Sequence, residues 1–433
     1  MYLWQAMCGQ SDLAMRAPSL IFALATPLVL AFSDVDGLGR TERFTWASLA
    51  ALWFPTVSYA QAARCFTMLF FISTLQTLAF IRLLARPSLR RATLWAILAA
   101  LAILTHYDAI YLGALQGLIY LARHQMRAVR TWPAALAFAP AFGELLYHLP
   151  RIEQLERPGI AWYPLLTVPR LAGDLISIMG RWQCSLMLAI AVLAAAFKLI
   201  FFSARPKPSA EQGQPIISYR IETGVWLAVI ASCLSAITLI VVGFLRPSYS
   251  ERYLIPDGPG LLLGIVLVIA MIAGRRLAWA LCVLVIGFAA AVCRQSALGN
   301  SMVPYGYNWE HASQVLERVR PRRLVFLWDD PVTPVEAPAQ LAAAGDAFFR
   351  RDGFKLAVDP VIINRGENPN RRLLASAAPP RSVIIWLYDL SLHDTAAVHY
   401  PPRISSLDPA WTCRPNNSGS FHVLACWRKS ETP

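Results

Sequence analysis

Apolar runs close to the length of a bilayer core, separated by clusters of arginine, leave this chain few folds to choose from. The most constraining stretch is 93–122, about thirty residues interrupted at its middle by Thr105-His106-Tyr107-Asp108. As one helix it would measure roughly 45 Å, against a bilayer core of about 30 Å. Both flanks are basic: Arg86, Arg90 and Arg91 precede it, and Arg123, Arg127 and Arg130 follow it. Cytoplasmic loops carry the excess of Lys and Arg, so both flanks belong on one side of the membrane. A single crossing cannot satisfy that. Two short spans can, with 105–108 as their tip on the outer face.

The same reasoning places spans at 17–33, 44–62, 66–84, 93–107, 109–122, 132–148, 184–203, 224–245, 256–273 and 277–293. Inside loops then carry Arg40 and Arg43, Arg82 to Arg91, Arg123 to Arg130, Arg205 to Arg220, and Arg275 with Arg276. The expected fold is an α-helical polytopic membrane protein of about ten spans, with both termini outside. Only 15% of the residues are charged, where soluble domains carry roughly 25%. A net charge of +13 would point to nucleic acid in a soluble protein. Here the arginines fall between apolar runs, which is the pattern of membrane loops, so a nucleic-acid partner is not expected.

Near Arg294 the composition turns polar. Residues 1–294 read as the transmembrane domain and 295–433 as a small α/β domain on the outer face. In the latter, 324–328 and 383–388 read as strands, and 308–319 and 337–351 as amphipathic helices. Of the eight cysteines, Cys413 and Cys426 in this tail are the two placed to pair in an oxidising compartment. The cysteines show no metal-ligand spacing. Asp34-Val35-Asp36 has a form that can hold a divalent ion, but before Gly37 and Gly39 a plain turn is the stronger reading.

Under this topology three polar groups meet at the outer surface: Ser58-Tyr59-Ala60-Gln61-Ala62-Ala63-Arg64, the 105–108 tip, and Ser248-Tyr249-Ser250-Glu251-Arg252-Tyr253. An arginine in mid-span costs about 2.5–3.5 kcal/mol, so Arg64 and Arg252 belong at the interface or in a wet cavity. Two guanidinium groups with a histidine and tyrosines suit a phosphate held at the membrane surface. Plainer readings stand beside this one. Tyrosines at span ends are often only anchors, Asp108 can cap the helix that follows it, and Glu251 can merely pair with a nearby cation.

Together these residues resemble the C-type polytopic glycosyltransferases, the group of protein mannosyltransferases and aminoarabinose transferases. The family's G-x-[SN]-E-x-A-x-R-x-P-S is similar to Gly9-Gln10-Ser11-Asp12-Leu13-Ala14-Met15-Arg16-Ala17-Pro18-Ser19. Its Y-[SA]-[RQ]-E-A-R-x-Y is similar to Tyr59-Ala60-Gln61-Ala62-Ala63-Arg64-Cys65-Phe66. Its T-H-Y matches Thr105-His106-Tyr107, and its E-R-Y-L-[LI]-P matches Glu251-Arg252-Tyr253-Leu254-Ile255-Pro256. The resemblance spans roughly residues 1–275. It implies transfer of a sugar from a polyprenyl-phosphate carrier to a glycan, lipid or protein acceptor, at the outer face of the cytoplasmic (inner) membrane. Membrane lipid is the surrounding partner, no cofactor is assigned, and a divalent metal is an open option. The resemblance assigns the lipid phosphate or substrate to Arg64, Arg252, Tyr253, Tyr59, Gln61, Tyr107 and Asp12. It leaves Asp108, Glu251 and His106 as the candidates for acid–base work.

The chain also departs from the family. Ala62 stands where the family has a glutamate, and Phe66 where it has a tyrosine. The family's catalytic aspartate lies on an outer loop ahead of the helix in which this sequence opens, which implies a start upstream of Met1. A catalytically degenerate lipid-phosphate-binding or scaffold protein is the alternative. A transporter fits less well, because it predicts internal repeats and polar groups at the bilayer midplane.

Overall fold

The computed structural model describes residues 2–9, 12–155, 165–178, 223–272, 309–329, 357–361, 381–389, 408–416 and 421–431, with isolated positions between them. Contacts divide the chain between Leu298 and Gly299, against 294/295 from composition.

The first unit is helical: α1 (Tyr2–Cys8), α2 (Asp12–Phe32), α3 (Arg40–Leu52), α4 (Phe54–Ala60), α5 (Phe66–Ala85), α6 (Leu89–Thr105), α7 (Ala109–His124), α8 (Met126–Val129), α9 (Ala139–Leu155), α10 (Val168–Ile178), α11 (Thr223–Leu245) and α12 (Gly258–Ile272). Among the described residues, four segments are long and apolar enough to cross a membrane: Leu13–Phe32, Phe66–Ala85, Thr223–Leu245 and Glu251–Ala270. Their surfaces point to lipid as well. On α2, Leu20, Ile21, Leu24, Leu28 and Phe32 are exposed at helical spacing. On α11, so are Ile230, Leu234, Ile237, Val241 and Phe244. Stripes this apolar, facing outward from a packed bundle, are solvated by hydrocarbon rather than by water. The protein is a membrane protein.

The expected hairpin is present. α6 ends where His106 turns extended, at φ −159° and ψ 125°, and α7 starts directly after Asp108. At 1.5 Å per residue each helix is roughly 25 Å long, about one leaflet pair deep. Ser88 caps α6 by accepting the Arg91 N–H at 3.4 Å. The expected span at 44–62 is instead two helices. Pro55 has no N–H for the Ala51 carbonyl and its ring would strike that group, so the chain leaves the helix at Trp53, with ψ 129°. The expected 132–148 span opens as a 3-10 turn over Trp132–Phe138, with Pro133 in its first turn, before α9 begins. The expected spans at 184–203 and 277–293 lie outside the described residues, apart from three helical positions in the second.

Two devices hold the bundle together. Small residues let α11 and α12 approach closely: a Cβ added at Gly260 would lie 2.6 Å from Ser232 Cβ and 3.3 Å from the Ala228 carbonyl. This is the close backbone approach that substitutes for a hydrophobic drive in lipid. Buried polar groups supply the second. Gln76 on α5 donates to Gln116 Oε1 on α7 at 2.9 Å, and Trp95 on α6 donates to the same oxygen at 2.8 Å.

The second unit is a five-stranded sheet: β1 (Arg323–Asp329), β2 (Ala357–Pro360), β3 (Ser382–Asp389), β4 (Trp411–Asn416) and β5 (Phe421–Arg428), in the order β2-β1-β3-β5-β4. β1 is parallel to both β2 and β3, whereas β5 is antiparallel to β3 and β4. Alternation along β1 and β3 divides two cores. Leu324, Phe326, Val383 and Ile385 face one side, with Val315 and Leu316 of α13 (Trp309–Val319). Val325, Leu327, Ile384 and Trp386 face the other. Cys413 and Cys426, opposite each other in the β4–β5 register, form a disulfide. The expected helix at 337–351 lies largely outside the described residues.

Candidate functional site

The turns at one end of the first unit gather most of the polar residues singled out above. The α6–α7 tip contributes His106, Tyr107 and Asp108. The turn between α4 and α5 contributes Tyr59, Arg64, Cys65 and Phe66. A 3-10 turn, Glu251–Asp257, carries Arg252 and Tyr253 between α11 and α12.

Asp108 is only 6% exposed, and its Oδ2 lies 3.0 Å from His106 Nδ1. It occupies the N-cap position of α7 but makes no capping hydrogen bond. Its carboxylate is committed to the imidazole instead, which corrects the plain reading of it as a helix cap. Burial pushes the Asp108 carboxyl up, while the His106 contact and the Arg252 charge pull it down. With Nδ1 held by a carboxylate, His106 keeps Nε2 for another group.

An aromatic wall surrounds the imidazole. The His106 ring lies 5.7 Å from Phe66, 4.9 Å from Tyr107 and 5.1 Å from Tyr253, centroid to centroid. Tyr59 stacks on Phe66 at 4.6 Å. The Arg252 guanidinium lies over both Phe66, at 5.8 Å, and Tyr253, at 5.6 Å. Such cation–π contacts fix the plane of a guanidinium. Phe66 thus sits at the centre of the cluster, and its lack of a phenolic hydroxyl costs the ring contacts nothing.

Arg64 is exposed in the α4–α5 turn, where its carbonyl accepts the Ser19 hydroxyl of α2 at 3.0 Å. Burial raises the Cys65 thiol, the Arg64 and Arg252 charges lower it, and Arg252 reaches this turn through the Phe66 ring. Asp12 opens α2, about two helical turns before Ser19. Gln61 is exposed at the C-cap of α4.

Glu251 faces the other flank. Its Oε2 accepts the Ser250 hydroxyl at 3.1 Å, and its charge acts on Asp174 and Tyr249. Asp174 was not legible in the sequence. It lies on α10 with Arg170 Nε 3.7 Å away, and burial followed by the Glu251 charge raises it to about 6. The i, i+4 spacing of Arg170 and Asp174 was the available signal, but the pair falls between apolar runs. Asp257 is also buried here, at 2% exposed. Among the described residues no three metal-ligating side chains converge.

Compared with known proteins, the sequence matches no protein-family model and no curated protein. Among solved structures, the fold is similar to that of ArnT from Cupriavidus metallidurans bound to undecaprenyl phosphate. The TM-score is 0.46 at 12% identity, over 100% of this chain and 87% of that one. A likeness at that level fixes no chemistry, so the residues of this chain must carry it.

Proposed function

We propose that this protein is a membrane glycosyltransferase that moves a sugar from a polyprenyl-phosphate carrier to an acceptor at the outer membrane face. One observation carries the reading: residues about 40 to 190 positions apart, namely Arg64, the His106–Asp108 pair and the Arg252–Tyr253 pair, gather at one end of an apolar bundle.

In this reading Arg252 and Arg64 take the lipid phosphate, with His106 Nε2 and Tyr253 as further donors. An acceptor hydroxyl or amine loses its proton to a carboxylate and attacks the anomeric carbon. The new bond forms there as the bond to the phosphate oxygen breaks, and the phosphate leaves with its charge held by the arginines. Asp108 positions His106. Glu251 and Asp174 are carboxylates not engaged with His106, and Asp174, raised to about 6, suits proton removal at neutral pH. The disulfide between Cys413 and Cys426 supports an oxidising compartment for the second unit, and so its placement on the outer face.

Radiolabelled polyprenyl-phosphate sugars offered to the purified protein test the proposal. Label transfer that disappears in Arg252→Ala is expected. Retention of lipid without any transfer would instead favour the scaffold reading, which Ala62 in the family's glutamate position supports.

A further inference from the structure

The opposite end of the same bundle contains a second constellation of charge. A cavity of about 430 Å³ is lined by Asp34, Val35 and Asp36 from the α2–α3 turn, by Ile81, Arg82, Ala85 and Arg86 from the end of α5, and by Arg91 of α6. Its volume falls within the roughly 300–1,000 Å³ typical of small-molecule sites.

The cavity is built rather than accidental. Arg91 Nη1 donates to the carbonyls of Arg82 and Arg86, each at 3.1 Å. These bonds cap the negative end of α5, which would otherwise repel an anion, and they fix the guanidinium. Arg82 Nη2 donates to the Asp34 carbonyl at 3.2 Å and ties the turn to α5. Arg43 anchors that turn from α3 through the Ser33 carbonyl. The Asp34 and Asp36 carboxylates form no ion pair with any described residue.

We propose that this cavity binds the headgroup of an anionic, hydroxyl-bearing phospholipid of the phosphatidylglycerol type, in the leaflet on the arginine-rich side. Three guanidinium groups against two carboxylates leave one net positive charge, which matches one phosphodiester. The arginines take the phosphate. The carboxylates can only accept, so they call for a headgroup with hydroxyl donors. A zwitterionic headgroup would leave the positive charge unmatched. The tails have a path as well: Leu28 and Phe32, the latter 79% exposed, stand on α2 directly before Asp34. This site shares no residue with the proposed transferase site and does not depend on its chemistry.

Native mass spectrometry of the detergent-purified full-length protein, with lipids added back, decides the matter. Phosphatidylglycerol should be retained about tenfold over phosphatidylcholine and phosphatidylethanolamine. Arg86→Gln should remove that preference without changing the lipid-free melting temperature. Asp34→Asn, at an exposed position where loss of fold is not expected, should bring phosphatidylglycerol and phosphatidic acid to equal retention. Equal retention of the zwitterionic lipids by the unaltered protein would overturn the proposal, as would an Arg86→Gln variant that keeps the preference. Displacement of phosphatidylglycerol by an equimolar amount of glycerol phosphate would show that the ligand is a soluble ester and would overturn the lipid assignment.

Discussion

The two ends of the helical unit use the same residue type in opposite ways. At the His106 end, Arg252 is half-buried, laid over aromatic rings and accompanied by a buried carboxylate. At the Arg86 end, Arg82 and Arg91 are held by backbone carbonyls and the Arg86 side chain is exposed. Rings fix the guanidinium plane in a low-dielectric setting, where each hydrogen bond and charge contact counts for more. Carbonyl-held arginines at an interface give binding with little leverage on a reaction. The difference separates a site that can stabilise developing charge from one suited to anchoring a headgroup.

The largest expected effect breaks the first end by undoing its scaffold. The 3-10 turn with Arg252 is slung between α11 and α12, and Gly260→Leu would wedge those helices apart against Ser232 and Ala228. A loss of roughly 3 kcal/mol or more is expected, seen as a lowered melting temperature and aggregation on size exclusion. Next, Arg252→Ala should slow transfer about 100- to 1,000-fold, or about 2.7–4 kcal/mol, with the fold intact by circular dichroism. A loss under tenfold would remove this end's claim to chemistry.

A finer test uses pH. Asp174 is raised from the ordinary 3.8 to about 6, so it is neutral below that value and charged above it. Transfer that uses it as a base should rise through about pH 6, and Asp174→Asn should flatten that limb. The sign for stability is the reverse. A raised carboxyl favours the protonated native state, so its effect is neutral below pH 3.8 and increasingly unfavourable between 3.8 and 6. The smallest effect lies between the two ends: Gln116→Ala removes the acceptor shared by Gln76 and Trp95 and should cost about 1 kcal/mol by thermal melting, without altering either end's ligand preference.

Much of this architecture was written in local signals. Arginines on both flanks of 93–122 required a hairpin, and the tip fell at His106–Asp108. Apolar length identified α2, α5, α11 and the segment leading into α12. Short continuous apolar runs marked β1 and β3. These features depend on neighbours within about one span, so a one-dimensional reading can find them.

Partner choice was another matter. Asp108 lies 3.0 Å from His106 rather than capping α7, Trp53 ends α3 where one span was expected, and Asp174 feels the Glu251 charge from an 11-residue helix too short to read as a span. Trp46 of α3 donates to the Pro259 carbonyl at 2.9 Å, 213 residues away. The cavity likewise needs the Asp34 turn to meet Arg82, 48 positions on. Hydrophobic pattern and flanking charge settled that this chain enters a membrane and which turns share a side. Which polar groups touch there was decided only by packing, because a hydrogen bond depends on ångström-scale distance and direction that sequence spacing does not encode.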